Sequence, residues 1–85
     1  MKEQLFDDKY LLIDDNDEVL AEIDFPKISE NTIEITHTIV SSSLQGQGIA
    51  RKLVEKVLSI AKKKGYRVTA SCSYAKHYLE KNQLN

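Results

Sequence analysis

The chain has 85 residues, of which 41% are hydrophobic and 29% are charged, and its net charge at neutral pH is −1. This length predicts one small domain, residues 1–85, without room for separate cofactor and substrate domains. The charge argues against a general nucleic-acid binder, and no segment approaches the roughly 18 apolar residues of a membrane helix. The charged start lacks a signal peptide's apolar segment, and a single cysteine excludes an internal disulfide, so we expect a cytoplasmic protein.

Three strands are predicted in the first 40 residues. Residues 9–14 and 18–25 read as a hairpin around the polar turn sequence at 15–17, and residues 27–31 read as a loop. Residues 32–40 alternate regularly between apolar and polar side chains, which predicts one continuous strand. One face of that strand would carry Ile33, Ile35, His37 and Ile39.

A helix, a strand and a second helix are predicted to follow. Apolar residues recur at helical spacing from Ile49 to Ala61, and Gly65 is typical of a C-terminal cap. Residues 66–72 alternate as a strand, and residues 73–82 predict a short helix capped by Ser73. The expected fold is a mixed α+β or α/β sheet, in which antiparallel N-terminal strands precede a β-α-β-α unit with a parallel strand pair.

Two glycines, Gly46 and Gly48, stand at the entrance of the first helix. The first N–H groups of a helix have no partners within it, so this position is suited to an anionic ligand. The alternative is a turn in which one glycine only supplies a positive φ. The spacing excludes a P-loop, and Arg51 stands where a dinucleotide fingerprint requires its third glycine.

The sequence QGQGIA, residues 45–50, resembles the acyl-CoA signature Q/R-x-x-G-x-G/A of the GNAT superfamily of N-acetyltransferases. Residues 33–82 as a whole resemble the small stand-alone GNAT-like proteins. The resemblance implies a GNAT-like sheet, acetyl-CoA as cofactor, and acetyl transfer to an amine or thiol acceptor that the sequence does not identify. It implies a pyrophosphate cradle made of Gln45, Gly46, Gln47, Gly48, Ile49 and Ala50, with Arg51 near a phosphate. Backbone groups of Ile39 and Val40 would hold the pantetheine arm where two parallel strands splay apart.

The last strand–helix junction departs from the family pattern. Residues 72–81 stand in register with N-x-x-A-x-x-F-Y-E-K, so Cys72 takes the asparagine position and Leu79 takes the tyrosine position. That tyrosine usually acts as the general acid in the family. Tyr78 is adjacent but points about 100° away around a helix. This departure favours an alternative reading, a non-catalytic module that binds or senses acyl-CoA.

Cys72 and His37 are the candidate catalytic residues. A cysteine at a strand end before a helix has a lowered pKa, and small GNAT-like proteins carry a cysteine at the matching position. In the topology that the resemblance implies, His37 would lie on the neighbouring strand and could accept the thiol proton. The alternative is that Cys72 fills space in the core and His37 is a hydrogen-bonded core residue. No metal is expected, because Cys72, His37 and His77 lack a recognised ligand spacing.

Overall fold

The computed structural model describes residues 1–82, which form strands, two helices and one 3-10 turn. The strands are β1 (Lys2–Leu5), β2 (Lys9–Ile13), β3 (Val19–Asp24), β4 (Lys27–Ser29), β5 (Thr32–Ile35), β6 (His37–Val40) and β7 (Arg67–Ala70). The helices are α1 (Ile49–Lys64) and α2 (Ser73–Lys81), and the 3-10 turn (Ser42–Leu44) lies before α1. Within the described range, neither helix has the length and apolar character needed to cross a membrane.

The strands form two sheets, and the chain passes between them three times, after β3, after β5 and after β6. The first sheet has the antiparallel order β1-β2-β3-β6, and the second has the order β4-β5-β7, in which β5 and β7 run parallel. Antiparallel strands therefore precede a β-α-β-α unit, and the predicted fold class is confirmed. The predicted hairpin of β2 and β3 is also present, with the Asp14 carboxylate accepting the N–H groups of Asn16 and Glu18 in its turn.

The prediction of one continuous strand over residues 32–40 is wrong. The strand is interrupted at Thr36, whose N–H donates to the carbonyl of Asp24. At this residue the chain passes from the second sheet to the first. The break reverses which side chains face inward: Ile33 and Ile35 are 3% and 0% exposed, whereas Ile39 is 58% exposed. Regular alternation in sequence does not reveal such an irregularity, because the polar and apolar residues still alternate across it.

The predicted loop at residues 27–31 is also wrong, because residues 27–29 form β4 and pair with β5 as a hairpin. β1 has no counterpart among the predicted strands. All four of its residues are exposed at the edge of the first sheet, so it lacks the apolar alternation that identifies a half-buried strand.

Helix α1 packs its predicted apolar stripe against the sheets. Its buried residues are Ile49, Leu53, Val54, Val57 and Ala61. Gly65 ends the helix in the left-handed conformation, with φ of 73°, and its N–H faces the carbonyls of Ala61 and Lys62, so the predicted C-terminal cap is confirmed. The buried stripe fixes the N-terminus of α1 beside the end of β6.

Helix α2 begins at Ser73, as predicted, and ends at Lys81, one residue before the predicted end. Ser73 is its first helical residue, and Cys72, in extended conformation, is the N-cap. The expectation that Ser73 caps the helix is therefore wrong. Burial of Ala75 and Leu79, 0% and 1% exposed, sets this register because both side chains must face the core.

Candidate functional site

A cleft of about 490 Å³ opens beside the N-terminus of α1. One wall is β6, the other is the first turn of α2, and the loop between β6 and α1 closes one side. The lining residues are Thr38, Ile39, Val40, Leu44, Gln45, Gly46, Gly48, Ile49, Ala50, Arg51 and Tyr74. The structure thus brings together most of the residues predicted to bind the cofactor, while Gln47 is exposed in the same loop.

The cleft exists because two neighbouring strands separate. The parallel pairing of β5 with β7 reaches Ile35 opposite Ala70. The carbonyl of Ile35 then accepts the N–H groups of both Ser71 and Cys72, at 3.0 and 3.1 Å. Beyond this point β6 pairs with β3, and the other chain segment turns into α2. The predicted splay is therefore present, and it begins at the break at Thr36.

The loop before α1 presents unpaired N–H groups. Gly46 and Gly48 have φ of 84° and 72°, a left-handed conformation that glycine adopts without strain. Within residues 1–82, none of the backbone N–H groups of residues 46–51 donates to another protein group. The first turn of α1 contains no acidic residue, so no carboxylate competes for its positive end. These N–H groups are therefore free to donate hydrogen bonds to a bound anion.

Cys72 lies behind the cleft, at the base of the splay. Its Sγ is 3.6 Å from Oγ1 of Thr38, which lines the cleft. Burial opposes ionisation of the thiol, but contacts with the backbone of Ala75 and Tyr74 and with the Thr38 hydroxyl outweigh it and lower the pKa of Cys72. Cys72 lies at the N-terminus of α2, where a helix favours a thiolate, and its side chain forms no cap hydrogen bond with the helix in the described residues.

His37 is not brought to Cys72. Its Nδ1 lies 3.3 Å from Oγ1 of Thr36 and 3.8 Å from Oδ2 of Asp24, and 68% of its side chain is exposed. Adjacent residues of a strand point to opposite faces, and Thr38 is the one that contacts Cys72. The expected contact between His37 and Cys72 is therefore not seen. The interruption at Thr36 reverses which residues of the strand face Cys72. The predicted proton-accepting role of His37 stays a prediction.

The position of the family's acidic tyrosine is occupied by a leucine. Leu79, in its position, is 1% exposed and belongs to the core. The hydroxyl of Tyr78 donates to Oε2 of Glu55 at 3.2 Å, between α2 and α1. Burial, followed by this contact with Glu55, raises the pKa of Tyr78.

Sequence reasoning missed Thr38 and Tyr74, although both line the cleft. Thr38 was expected on the polar side of one continuous strand, and only the break at Thr36 places it across from Cys72. Within the described part of the chain, no group of three or more His, Cys, Asp and Glu side chains is arranged to hold a metal ion.

The chain is similar to solved structures with the same architecture. It is 40% identical to a GCN5-like protein from Staphylococcus aureus determined by solution NMR, with a TM-score of 0.79 over 95% of this chain and 79% of that one. A GNAT family acetyltransferase from Elizabethkingia anophelis, crystallised with acetyl-CoA bound, is 26% identical, with a TM-score of 0.66 over 88% of this chain and 51% of that one.

A GNAT family acetyltransferase from S. aureus Mu50 shares the fold at 16% identity, with a TM-score of 0.69 over 87% of this chain and 50% of that one. The chain thus spans about half the length of the two crystallised proteins. Comparison with curated proteins gave no match. Residues 9–84 match the family described as GCN5-related N-acetyl-transferase. Since this match covers most of the sequence, the chain belongs to the GCN5-related N-acetyltransferase family.

Proposed function

We propose that the protein binds acetyl-CoA in the cleft beside α1 and transfers its acetyl group to an amine or thiol acceptor. The observation that carries the proposal is the row of unpaired N–H groups over residues 46–51, at the positions of the acyl-CoA motif. A pyrophosphate bound there would receive several charge-assisted hydrogen bonds and the field of the helix. Arg51, on the rim of the same cleft, adds a cation.

The free edge of β6 supports the predicted place of the pantetheine arm. β6 is the last strand of its sheet, so its second edge, along Ile39 and Val40, has no strand partner within the described residues. Pantetheine is an extended chain with two amides, and such chains bind strand edges through backbone hydrogen bonds. Ile39, 58% exposed, offers apolar surface along the same path.

Cys72 is our candidate for receiving the acetyl group. Its thiol would lose a proton to solvent, and the sulfur would then bond to the acetyl carbon as the thioester carbon–sulfur bond breaks. The departing thiolate of coenzyme A takes up a proton. The acceptor would next attack the acetylated cysteine, release its own proton and return Cys72 to the thiol. The lowered pKa of Cys72 supports this step because the thiolate is the nucleophile.

A second candidate function is acyl-CoA binding without catalysis. The burial of Leu79 favours it, since the direct mechanism of the family lacks its usual acid at this position. The two candidates share the cleft and differ only in whether the acetyl group leaves the thioester.

Calorimetry with acetyl-CoA, followed by mass spectrometry of the mixed sample, tests the proposal. We expect binding, an acetyl adduct on Cys72, and release of free coenzyme A when amines or thiols are added. Cys72→Ala is expected to bind acetyl-CoA unchanged and to lose both adduct and release. Binding without adduct or release would establish the non-catalytic module instead. Absence of binding would overturn both candidates.

A further inference from the structure

A groove of about 640 Å³ lies between the C-terminal half of α1 and the outer edge of β7. Its principal lining residues are Leu58, Ala61, Lys62, Tyr66, Arg67 and Val68. This α1–β7 groove is at the end of α1 opposite the loop that precedes the helix. Because α1 has 16 residues, the two ends lie about 24 Å apart. The groove is therefore a separate surface from the cleft that we assign to acetyl-CoA.

One wall of the groove is an unpaired strand edge. β7 is the last strand of the second sheet, and within the described residues it pairs only with β5. The N–H of Arg67 donates to the carbonyl of Asn31, at the start of this pairing. Every second residue of a parallel strand directs its backbone groups to the same neighbour, so those of Val68 point away from β5. An edge of this kind can accept a further strand.

The rim of the groove is positively charged. Lys62 and Arg67 line it, and none of its lining residues is acidic. Within the described part of the chain, neither cation forms an ion pair. The helix dipole accounts for lysines in the last turn of α1, but Arg67 lies on β7, outside the helix. The groove therefore favours an anionic occupant.

A second copy of the chain is not a suitable occupant. If two β7 strands paired edge to edge about a two-fold axis, the same groove residues of the two copies would face each other. Lys62 and Arg67 of one copy would then lie close to the same cations of the other, and like charges across a strand pair are destabilising. Cations at an edge strand are a common means of preventing such self-association. A partner with acidic side chains meets attraction at the same positions.

We propose that the α1–β7 groove binds an extended acidic segment of a partner protein, which adds to the outer edge of β7 as an antiparallel strand. Side chains of a strand alternate between its two faces. Val68 is half-buried and packs on the helix side, so partner side chains on that face would contact Leu58 and Ala61. Those on the other face would lie beside Arg67, which is exposed. The recognised segment should therefore alternate apolar and acidic residues along the 4 residues of β7.

The experiment titrates the protein with a capped peptide of alternating glutamate and valine, followed by calorimetry and by hydrogen exchange in NMR. We expect binding, and slower exchange of the Val68 N–H in the complex. Replacing both cations, Lys62→Gln with Arg67→Gln, should weaken binding about tenfold, the worth of two exposed ion pairs. The matched control is Lys52→Gln with Lys76→Gln, which removes the same charge from exposed positions outside the groove and should bind the peptide as the wild type does.

Two methylated peptides test the strand geometry. In an antiparallel pair, the partner's valine N–H groups bond to β7, so methylation of the valine amide nitrogens should abolish binding. Methylation of the glutamate amide nitrogens should leave binding intact. Equal binding of the two methylated peptides, equal loss in the two double variants, or unchanged exchange at Val68 would overturn the proposal. Tighter binding of a single-stranded oligonucleotide than of the peptide would also overturn it.

This inference does not depend on the proposed binding of acetyl-CoA. The affinity for acetyl-CoA should be the same with and without the peptide, because the two surfaces lie at opposite ends of α1. Absence of peptide binding overturns the strand-addition site alone, and absence of acetyl-CoA binding overturns the proposed function alone.

Discussion

Gly48→Ala tests the phosphate-binding loop, and the chain provides a matched control in Gly65→Ala. Gly48 begins α1 with φ of 72° and ψ of 21°, and Gly65 ends it with φ of 73° and ψ of 28°. A Cβ added at either glycine meets no atom within 4 Å. Each alanine should therefore cost only the left-handed backbone penalty, about 1–2 kcal/mol. For a chain of this size, each kcal/mol lowers Tm by about 4–8 °C.

Only one of the two glycines lines the cleft. A Cβ at Gly48 would stand where an anion must approach the N–H groups of residues 46–51, whereas Gly65 lies at the opposite end of α1. Losing one hydrogen bond to a charged acceptor costs about 1.5–3 kcal/mol. We therefore expect Gly48→Ala to bind acetyl-CoA about 10- to 100-fold more weakly. Gly65→Ala should bind it with wild-type affinity.

Thermal denaturation followed by circular dichroism measures the two stabilities, and calorimetry at a temperature where all proteins are folded measures binding. The reasoning is refuted if both variants lose similar stability and Gly48→Ala still binds acetyl-CoA as the wild type does. If both variants bind weakly to the same degree, the loss comes from reduced stability, and the loop is not the cradle.

Two further predictions concern ionisable groups. Thr38→Val removes the hydroxyl that contacts Cys72 and should raise the pKa of the thiol, whereas Thr38→Ser should preserve that pKa. The rate of iodoacetamide alkylation across pH measures the pKa in each variant. Identical pH profiles for the two variants would show that the hydroxyl does not affect the thiol. A hydrogen bond to Asp24, followed by burial, raises the pKa of Glu22. The folded protein therefore binds the Glu22 proton more tightly than the unfolded chain does. Its stability falls as pH rises from about the normal glutamate pKa through the raised pKa of the folded state. Glu22→Gln should therefore be more stable at neutral pH by about 0.5 kcal/mol, and urea denaturation showing equal or lower stability would contradict the assignment.

Local signals predicted the helix α1, which borders the candidate site. The stripe from Ile49 to Ala61 and the glycine at each end are properties of consecutive residues, and the helix forms where they indicate. The loop of residues 45–50 was predicted as a cofactor cradle from its resemblance to the acyl-CoA signature of the family, and that motif is contiguous with the helix. The geometry of these elements depends little on the rest of the chain, which is why the sequence alone was informative.

The interior of the cleft could not be predicted in this way. Whether Thr38 or His37 faces Cys72 depends on one irregular residue, Thr36, whose N–H bonds to Asp24 on another strand. The interruption at Thr36 arises because residues 32–35 pair in one sheet and residues 37–40 pair in the other. The alternation of apolar and polar residues continues across it, so the sequence pattern does not reveal it. Strands β1 and β4 were not predicted for a related reason. Their residues are exposed, so these strands are held by pairing with a neighbouring strand and not by burial of an apolar face.

The break at Thr36 also explains why a chain this short has a cleft at all. If residues 32–40 continued as one strand beside β7, backbone hydrogen bonds would run on past Ile35 and close the space now open between β6 and α2. The chain instead ends that pairing with two N–H groups, of Ser71 and Cys72, on the carbonyl of Ile35. Because β6 does not pair with β7, the edge of β6 that faces the cleft has no strand partner within the described residues. A ligand could bind along this edge. The segment that leaves this pairing places Cys72 at the N-terminus of α2, so one local departure from regular sheet structure accompanies both the free edge and the position of the nucleophile that we propose.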